Sequence, residues 1–257
     1  MDLTDEQWEL VRPFIPDPER TVTSPKGGWP WRDPRDVLNG VLWVLRTGAP
    51  WADIPRRYPP YSTCYRRFKR WVQEGVLEKL LHGLAEDLRR RGKLDLTECY
   101  VDGSHAGAKR GGPLVGLTRR GKATKIMAVA DRTGLPLACW IASGPRHETK
   151  LVLDTLKARF VRSLPRILID DKAYDSDPLD AKLRRRHVEM IAPHHPNRSN
   201  KTQDLRKLRR YRRRWLIERL FAWLMRSRRL VTRYETKAEV FLGFLRLACA
   251  RLLWRRL

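Results

Sequence analysis

Residues 123–143 read ATKIMAVADRTGLPLACWIAS. Two apolar, β-forming runs flank Asp131-Arg132-Thr133-Gly134, a segment with turn residues at both ends. The pattern predicts a β-hairpin and rules out an all-helical chain. Working outward, LTECYVDGS (96–104) is a further β-like run. Downstream, PRILIDDKAYDS (165–176) is a short apolar strand that ends in acids, and HVEMIAP (187–193) is another short strand. Helical segments, ETKLVLDTLKARF (148–160) and DPLDAKLRRR (177–186), alternate with them. The second half therefore reads as an α+β or α/β body with a mixed sheet flanked by helices.

Before Gly92 the periodicity is helical. In LTDEQWELVRPFIP, Thr4 and Gln7 stand at capping-box spacing. The Pro- and Gly-rich stretch DPERTVTSPKGGWPWRDP reads as a loop, after which Asp33-Pro34 supplies an N-cap and first turn. Leu38, Val41, Leu42 and Leu45 follow at helical spacing, and Gly48 stops the helix. Ser62 is expected to cap a second, basic helix, in which Phe68, Trp71 and Val72 share one side while Arg66, Arg67, Lys69 and Arg70 lie mostly elsewhere. A third amphipathic helix, VLEKLLHGLAEDLRRRG, completes a helix-turn-helix-like head. A bundle with solvated arginines is the plain alternative. The expected division is 1–92 and 93–257.

The chain has 257 residues and a formal net charge of +25. That excess points to a polyanionic partner. No apolar run is long enough to span a bilayer, and MDLTDEQWEL lacks a signal pattern, so a cytoplasmic, nucleoid-associated protein is expected. Cys64, Cys99, Cys139 and Cys249 are scattered singly, which predicts buried thiols rather than a zinc site or disulfides. Trp29, Trp31, Trp43, Trp51 and Trp71 read as core or inter-helix anchors. His147, His194 and His195 have no partner at metal-ligand spacing and read as loop or DNA-facing residues.

Acids stand out in three settings. Asp102 ends one strand, and Asp170 and Asp171 end another. Acids at strand ends sit where such folds place their chemistry, although they also cap helices and start turns. The third lies in RRYRRRWLIERLFAWL (209–224), read as one basic helix. There Leu216, Ile217, Leu220, Phe221 and Leu224 form an apolar stripe, and Glu218 falls just off it, close in angle to Tyr211 and Arg214. Taken alone, Glu218 is better explained by a surface ion pair with Arg214 or Arg219. Taken together, two aspartates and a glutamate can hold divalent cations, and two ions about 4 Å apart can clamp both oxygens of an in-line phosphoryl transfer.

In order and spacing, YVDGSHAGAKRGG, GLTRRGKATKIMAVADRTGLPL, DDKAYDSDPL and YRRRWLIERLFAWLMRSRRLVTRY resemble DDE transposases of the insertion-sequence-5 group. LTDEQWELVRPFIP, DVLNGVLWVLRTGAPWADIP and STCYRRFKRW resemble the helical N-terminal domain of the same transposases, so the likeness covers nearly the whole chain. The resemblance implies an RNase-H-like catalytic domain with Asp102, Asp171 and Glu218 as its metal-binding triad. Asp171 is preferred to Asp170 because Lys172-Ala173-Tyr174 follows it, as in the family motif. It implies Mg²⁺, with Mn²⁺ as a substitute and two ions at the site. It also implies cleavage and strand transfer on double-stranded DNA, at element ends and target, by a homodimer or larger assembly. Tyr211 and Arg214 match the signature residues before the glutamate. The further expected DNA contacts are Lys109, Arg110, Arg119, Arg120, Lys122 and Lys172, Arg66, Arg67, Lys69 and Arg70, and Arg226. One position departs: Met225 stands where the family carries Lys or Arg seven residues after the glutamate, with Arg226 beside it as a substitute. Two other readings compete: a transposase descendant that binds DNA without chemistry, and an RNA-associated basic protein, which would explain the charge but not the acids.

Overall fold

The computed structural model describes residues 2–16, 32–199 and 204–257. Most of the expected loop after the first helix, with Trp29 and Trp31, lies outside the described residues, as does the end of the polar loop after His195. Helix α1 (Asp5–Val11) carries the capping box of Thr4 and Gln7. Helix α2 (Pro34–Thr47) is capped by the Asp33 side chain and ends at Gly48, whose φ of 71° only glycine adopts freely. Helix α3 (Tyr61–Gln73) starts one residue before the expected Ser62; Pro60 precedes it and no side chain caps it. Helix α4 (Val76–Arg90) closes the helical segment. Residues 48–60 join α2 to α3, a longer link than the three or four residues of a tight helix-turn-helix.

Two strands of ten residues form the centre of the sheet. β1 (Cys99–Ala108) pairs antiparallel with β3 (Gly121–Ala130), with Asp102 opposite Ala128. β2 (Gly116–Thr118) and β4 (Pro136–Ser143) both pair with β3, and the β3–β4 hairpin is the one expected at residues 123–143. Its turn is locked by Asp131, which is fully buried and accepts hydrogen bonds from the backbone N–H groups of Asp95, Thr133 and Leu135. Beyond helix α5 (Val152–Lys157), β5 (Ile167–Ile169) runs parallel to β1. Helix α6 (Asp177–Arg184) leads to β6 (Glu189–Ile191), parallel to β5. The strand order is β2-β3-β1-β5-β6, the mixed sheet anticipated from the sequence.

The basic segment differs from expectation. A short helix α7 (Leu205–Leu208) is followed by a 3-10 stretch from Arg209 to Arg213, and helix α8 (Trp215–Met225) begins only after it. The reason is Glu98, whose two oxygens accept from Arg210 at 2.7 Å and Arg213 at 2.5 Å. Three residues per turn eclipses positions i and i+3, so a 3-10 turn brings both guanidinium groups onto one carboxylate. The apolar stripe of α8 is buried as expected. Burying each such side chain contributes about 1.5–3 kcal/mol, so the stripe sets the helix's orientation and leaves Glu218 at its border.

Helix α9 (Arg228–Val231), strand β7 (Thr232–Arg233, paired with the end of β1) and helix α10 (Ala238–Trp254) complete the chain. Helix α10 packs on α3, α4 and β4. Gly243 permits its close approach to α3, since a Cβ there would lie 2.4 Å from Val72. Buried residues from the helical segment and the sheet form one continuous core. The four cysteines are buried thiols, as expected. Among the described residues, no helix is long and apolar enough to cross a membrane.

Candidate active site

Asp102 is the fourth of the ten residues of β1, inside the strand rather than at its expected end, because pairing with β3 continues past it to Gly107; Asp170 and Asp171 follow β5 directly, and Glu218 sits on the first turn of α8. One guanidinium ties three of them together. Arg214 lies 3.3 Å from Asp102 Oδ2, 3.8 Å from Asp170 Oδ1 and 3.2 Å from Glu218 Oε1. Arg214 ends the 3-10 stretch, so the Glu98 clamp that shapes that stretch also positions the cation among the acids. Asp171 is not held by Arg214. Its Oδ1 accepts from the Ala173 N–H and caps the next 3-10 turn, while its own N–H donates to Asp170 Oδ1. Its charge still raises the pKa of both Asp102 and Asp170.

Burial differs sharply among the acids. Glu218 is mostly exposed, with 59% of its side chain accessible, whereas Asp170 has none. Burial pushes the Asp102 carboxyl up to about 6, against the Gly103 N–H and Arg214, which favour ionisation. Burial and then the Asp102 charge drive Asp170 well above the usual carboxylate range. Burial works to lower the Arg214 guanidinium, and the charges of Asp102, Asp170 and Glu218 outweigh it. Asp170 Oδ2 is buried and has no hydrogen-bond partner among the described residues.

Among the described residues, no three His, Cys, Asp or Glu side chains are already drawn into a metal-binding cluster. Arg214 occupies the space between the acids instead. The donor set nonetheless suits a hard divalent cation. It is all oxygen, with the carboxylates of Asp102, Asp171 and Glu218 on three neighbouring elements and the Arg214 guanidinium beside two of them.

A second ion pair adjoins the site and is not legible in the sequence. Lys125 on β3 bonds Glu148 at 2.9 Å, with both side chains largely buried. Glu148 lies against Gly103, where a Cβ would approach its Oε1 to 2.7 Å. Its charge raises Asp102 further. The only sequence signal was the glycine directly after Asp102.

The expected DNA-contacting residues are dispersed. Lys109, Arg110, Arg119, Arg120, Lys122 and Lys172 are exposed, with Arg119 and Arg120 at the tip of the β2–β3 hairpin. Tyr211 is half-buried against the core. In the helical segment Arg66 is exposed, Lys69 half-buried, and Arg70 bonds Glu74 at 2.6 Å. Arg67 is buried, contrary to its expected position off the apolar side; its guanidinium lies 5.6 Å from the Trp71 ring, one helical turn away. Met225 packs against the core. Arg226 borders a separate groove with Trp223, Arg251 and Arg255 that contains none of the acids. His147 bonds Thr149 and His194 bonds Asp175, consistent with loop roles.

A mixed sheet with one acid on its central strand and others at the end of the next, crossed by a helix that brings a glutamate with an arginine at its N-cap, is the arrangement of the RNase-H-like class of nucleic-acid phosphoryl-transfer enzymes. Residues 89–253 match the family described as "Transposase DDE domain", and the chain belongs to that family. Residues 3–81 match the family described as "Putative transposase of IS4/5 family". The chain is 32% identical over 133 residues to a transposase described for insertion sequence element IS6501 of Brucella ovis, covering 52% of this chain and 98% of the relative. It is 30% identical over 142 residues to one described for IS402 of Burkholderia cepacia, covering 52% of this chain and 64% of that relative's length. The fold is shared with the piggyBac transposase in its synaptic complex with hairpin DNA. The TM-score is 0.59 at 10% identity, covering 97% of this chain and 75% of that one. Membership in the family implies phosphoryl transfer on nucleic acid with divalent-metal assistance.

Proposed function

We propose that the protein binds the ends of an insertion element and catalyses strand cleavage and strand transfer through Asp102, Asp171 and Glu218. The gathering of Asp102, Asp170 and Glu218 around Arg214, with Asp171 bonded through its N–H to Asp170, supports this reading. In the first step a water oxygen attacks the scissile phosphorus and the 3′ oxygen leaves as a hydroxyl. In the second, that hydroxyl attacks a phosphodiester of target DNA. Magnesium, or manganese in its place, would stabilise the attacking and leaving oxygens when bound. Asp102, Asp171 and Glu218 would hold it, since Glu218 is exposed, Asp171 half-buried and Asp102 keeps 20% of its side chain accessible, whereas Asp170 keeps none. Asp170 accepts the Asp171 N–H and so fixes the backbone from which Asp171 projects.

With the acids compensated, Arg214 is released to contact a DNA phosphate. Lys109, Arg110, Lys172 and the hairpin tip follow the backbone, with residues 1–92 as the DNA-binding unit and 93–257 as the catalytic unit. Juxtaposing two element ends requires at least a dimer on DNA. Glu218→Gln should abolish Mg²⁺-dependent nicking of supercoiled plasmid while retaining DNA binding; nicking at the wild-type rate would refute the triad. A wild-type protein that binds DNA but never nicks it would instead mark an inactive descendant, as the uncharged Met225 allows.

A further inference from the structure

The join between the helical segment and the sheet encloses a cavity of about 430 Å³. Its walls include Trp51, Tyr65 and Tyr234, and Arg110 and Lys237 stand at its exposed rim. Its floor is rigid. Arg229 is buried, bonds Glu235 at 2.7 Å, donates to the carbonyls of Gly48 and Ala49, and lies 5.1 Å from the Tyr234 ring. Trp51 is fixed by an edge-on contact with Tyr65 at 5.3 Å and by Phe244 at 5.7 Å. Tyr234 is 43% exposed, an aromatic surface that the fold leaves partly uncovered.

We propose that this cavity takes an unstacked nucleobase of the bound DNA, stacked on its aromatic walls, with the adjoining phosphate at Arg110 and Lys237. The proposal rests on the DNA-processing function given above. Aromatic faces hold bases without regard to sequence, and cations at a rim suit the phosphate. The cavity volume falls in the range of small-ligand sites, enough for one nucleotide. Its position also fits. Arg110 follows β1, and Tyr234 follows β7, which pairs with β1 at Gly107 and Ala108. Asp102 is six residues back along that strand, about 20 Å away, or roughly six nucleotide steps of duplex.

The test uses a forked duplex with 2-aminopurine in one unpaired arm, and a fully paired duplex of the same sequence, in EDTA so that nothing is cut. Wild-type protein is expected to quench the 2-aminopurine emission and to bind the fork more tightly than the paired duplex. Tyr234→Ala, at an exposed position that folding tolerates, should lose the quenching and weaken fork binding about fivefold or more, the scale of one lost stacking contact. Affinity for the paired duplex should stay within about twofold, since phosphate contacts dominate it. Trp51→Leu should act the same way. Quenching that is absent in the wild type, or unchanged in both variants, overturns the pocket while leaving DNA binding intact. Failure of the wild type to bind either duplex overturns the parent function and the pocket together.

Discussion

Arg214→Gln tests the electrostatic core of the site. The substitution removes the one cation within 4 Å of Asp102, Asp170 and Glu218 among the described residues. The three pairs do not count equally. Glu218 is mostly exposed, so its share is under about 1 kcal/mol. Asp102 and Asp170 are largely or wholly buried, and stranding a buried charge costs about 3–5 kcal/mol. Both acids can escape part of that cost by taking up a proton, because Asp102 already titrates at about 6 and Asp170 lies well above its usual range. A net loss of about 2–4 kcal/mol at pH 7.5 is therefore expected, which for a chain of this size lowers Tm by roughly 5–12 °C. At pH 5.5 the deficit should shrink to about half, since proton uptake is then nearly free. Saturating Mg²⁺ at pH 7.5 should restore most of it, as the cation takes over the guanidinium's role. Scanning calorimetry at two pH values, with and without Mg²⁺, reads all three. A variant that melts within 2 °C of the wild type at pH 7.5 without metal, or whose deficit is the same at both pH values, refutes the reasoning; that margin is about 1 kcal/mol or less.

Asp102 gives a second, sign-specific expectation. Burial first, and neighbouring carboxylates after it, hold its pKa at about 6, above the ordinary aspartate value of 3.8. The folded protein thus binds this proton more tightly than the unfolded chain. Its stabilising contribution is present below about pH 4 and lost as pH rises through 6, amounting to at most about 3 kcal/mol. Denaturant titrations should show Asp102→Asn gaining on the wild type between pH 4 and 8, and parallel pH profiles would contradict this. Gly103→Ala should cost about 1–3 kcal/mol, because its Cβ would press on a Glu148 carboxylate that Lys125 holds in place. Gly107→Ala on the same strand, with nothing within 4 Å, is the control, and equal melting of the two variants would discount the clash.

Much of this arrangement was legible in the chain itself because it is set over short distances. The capping box at Thr4, the Asp33 cap, the Gly48 stop and the hairpin around Asp131 each depend on residues a turn or a strand apart. Ordered motifs were enough to point to the family, and Glu218 was marked by its place at the border of the apolar stripe of α8; Asp102 was read as ending its strand, whereas pairing with β3 carries β1 on to Ala108. The start of α3 at Tyr61 and the burial of Arg67 went otherwise, since packing against Trp71 outweighed the tendency of a charge to face water.

What the sequence determined by itself was the set of elements, the charge and the acids available for chemistry. Only the tertiary structure decided which acid meets which cation. Glu98 recasts the arginine-rich stretch as 3-10 from 112 positions away, and that places Arg214 against Asp102 and Asp170. The cavity beside Trp51 likewise unites residues from three distant segments. Hydrogen-bond periodicity and capping act between near neighbours, so they leave a pattern in the chain. Ion pairing and burial depend on separation in space, which no spacing along a chain encodes.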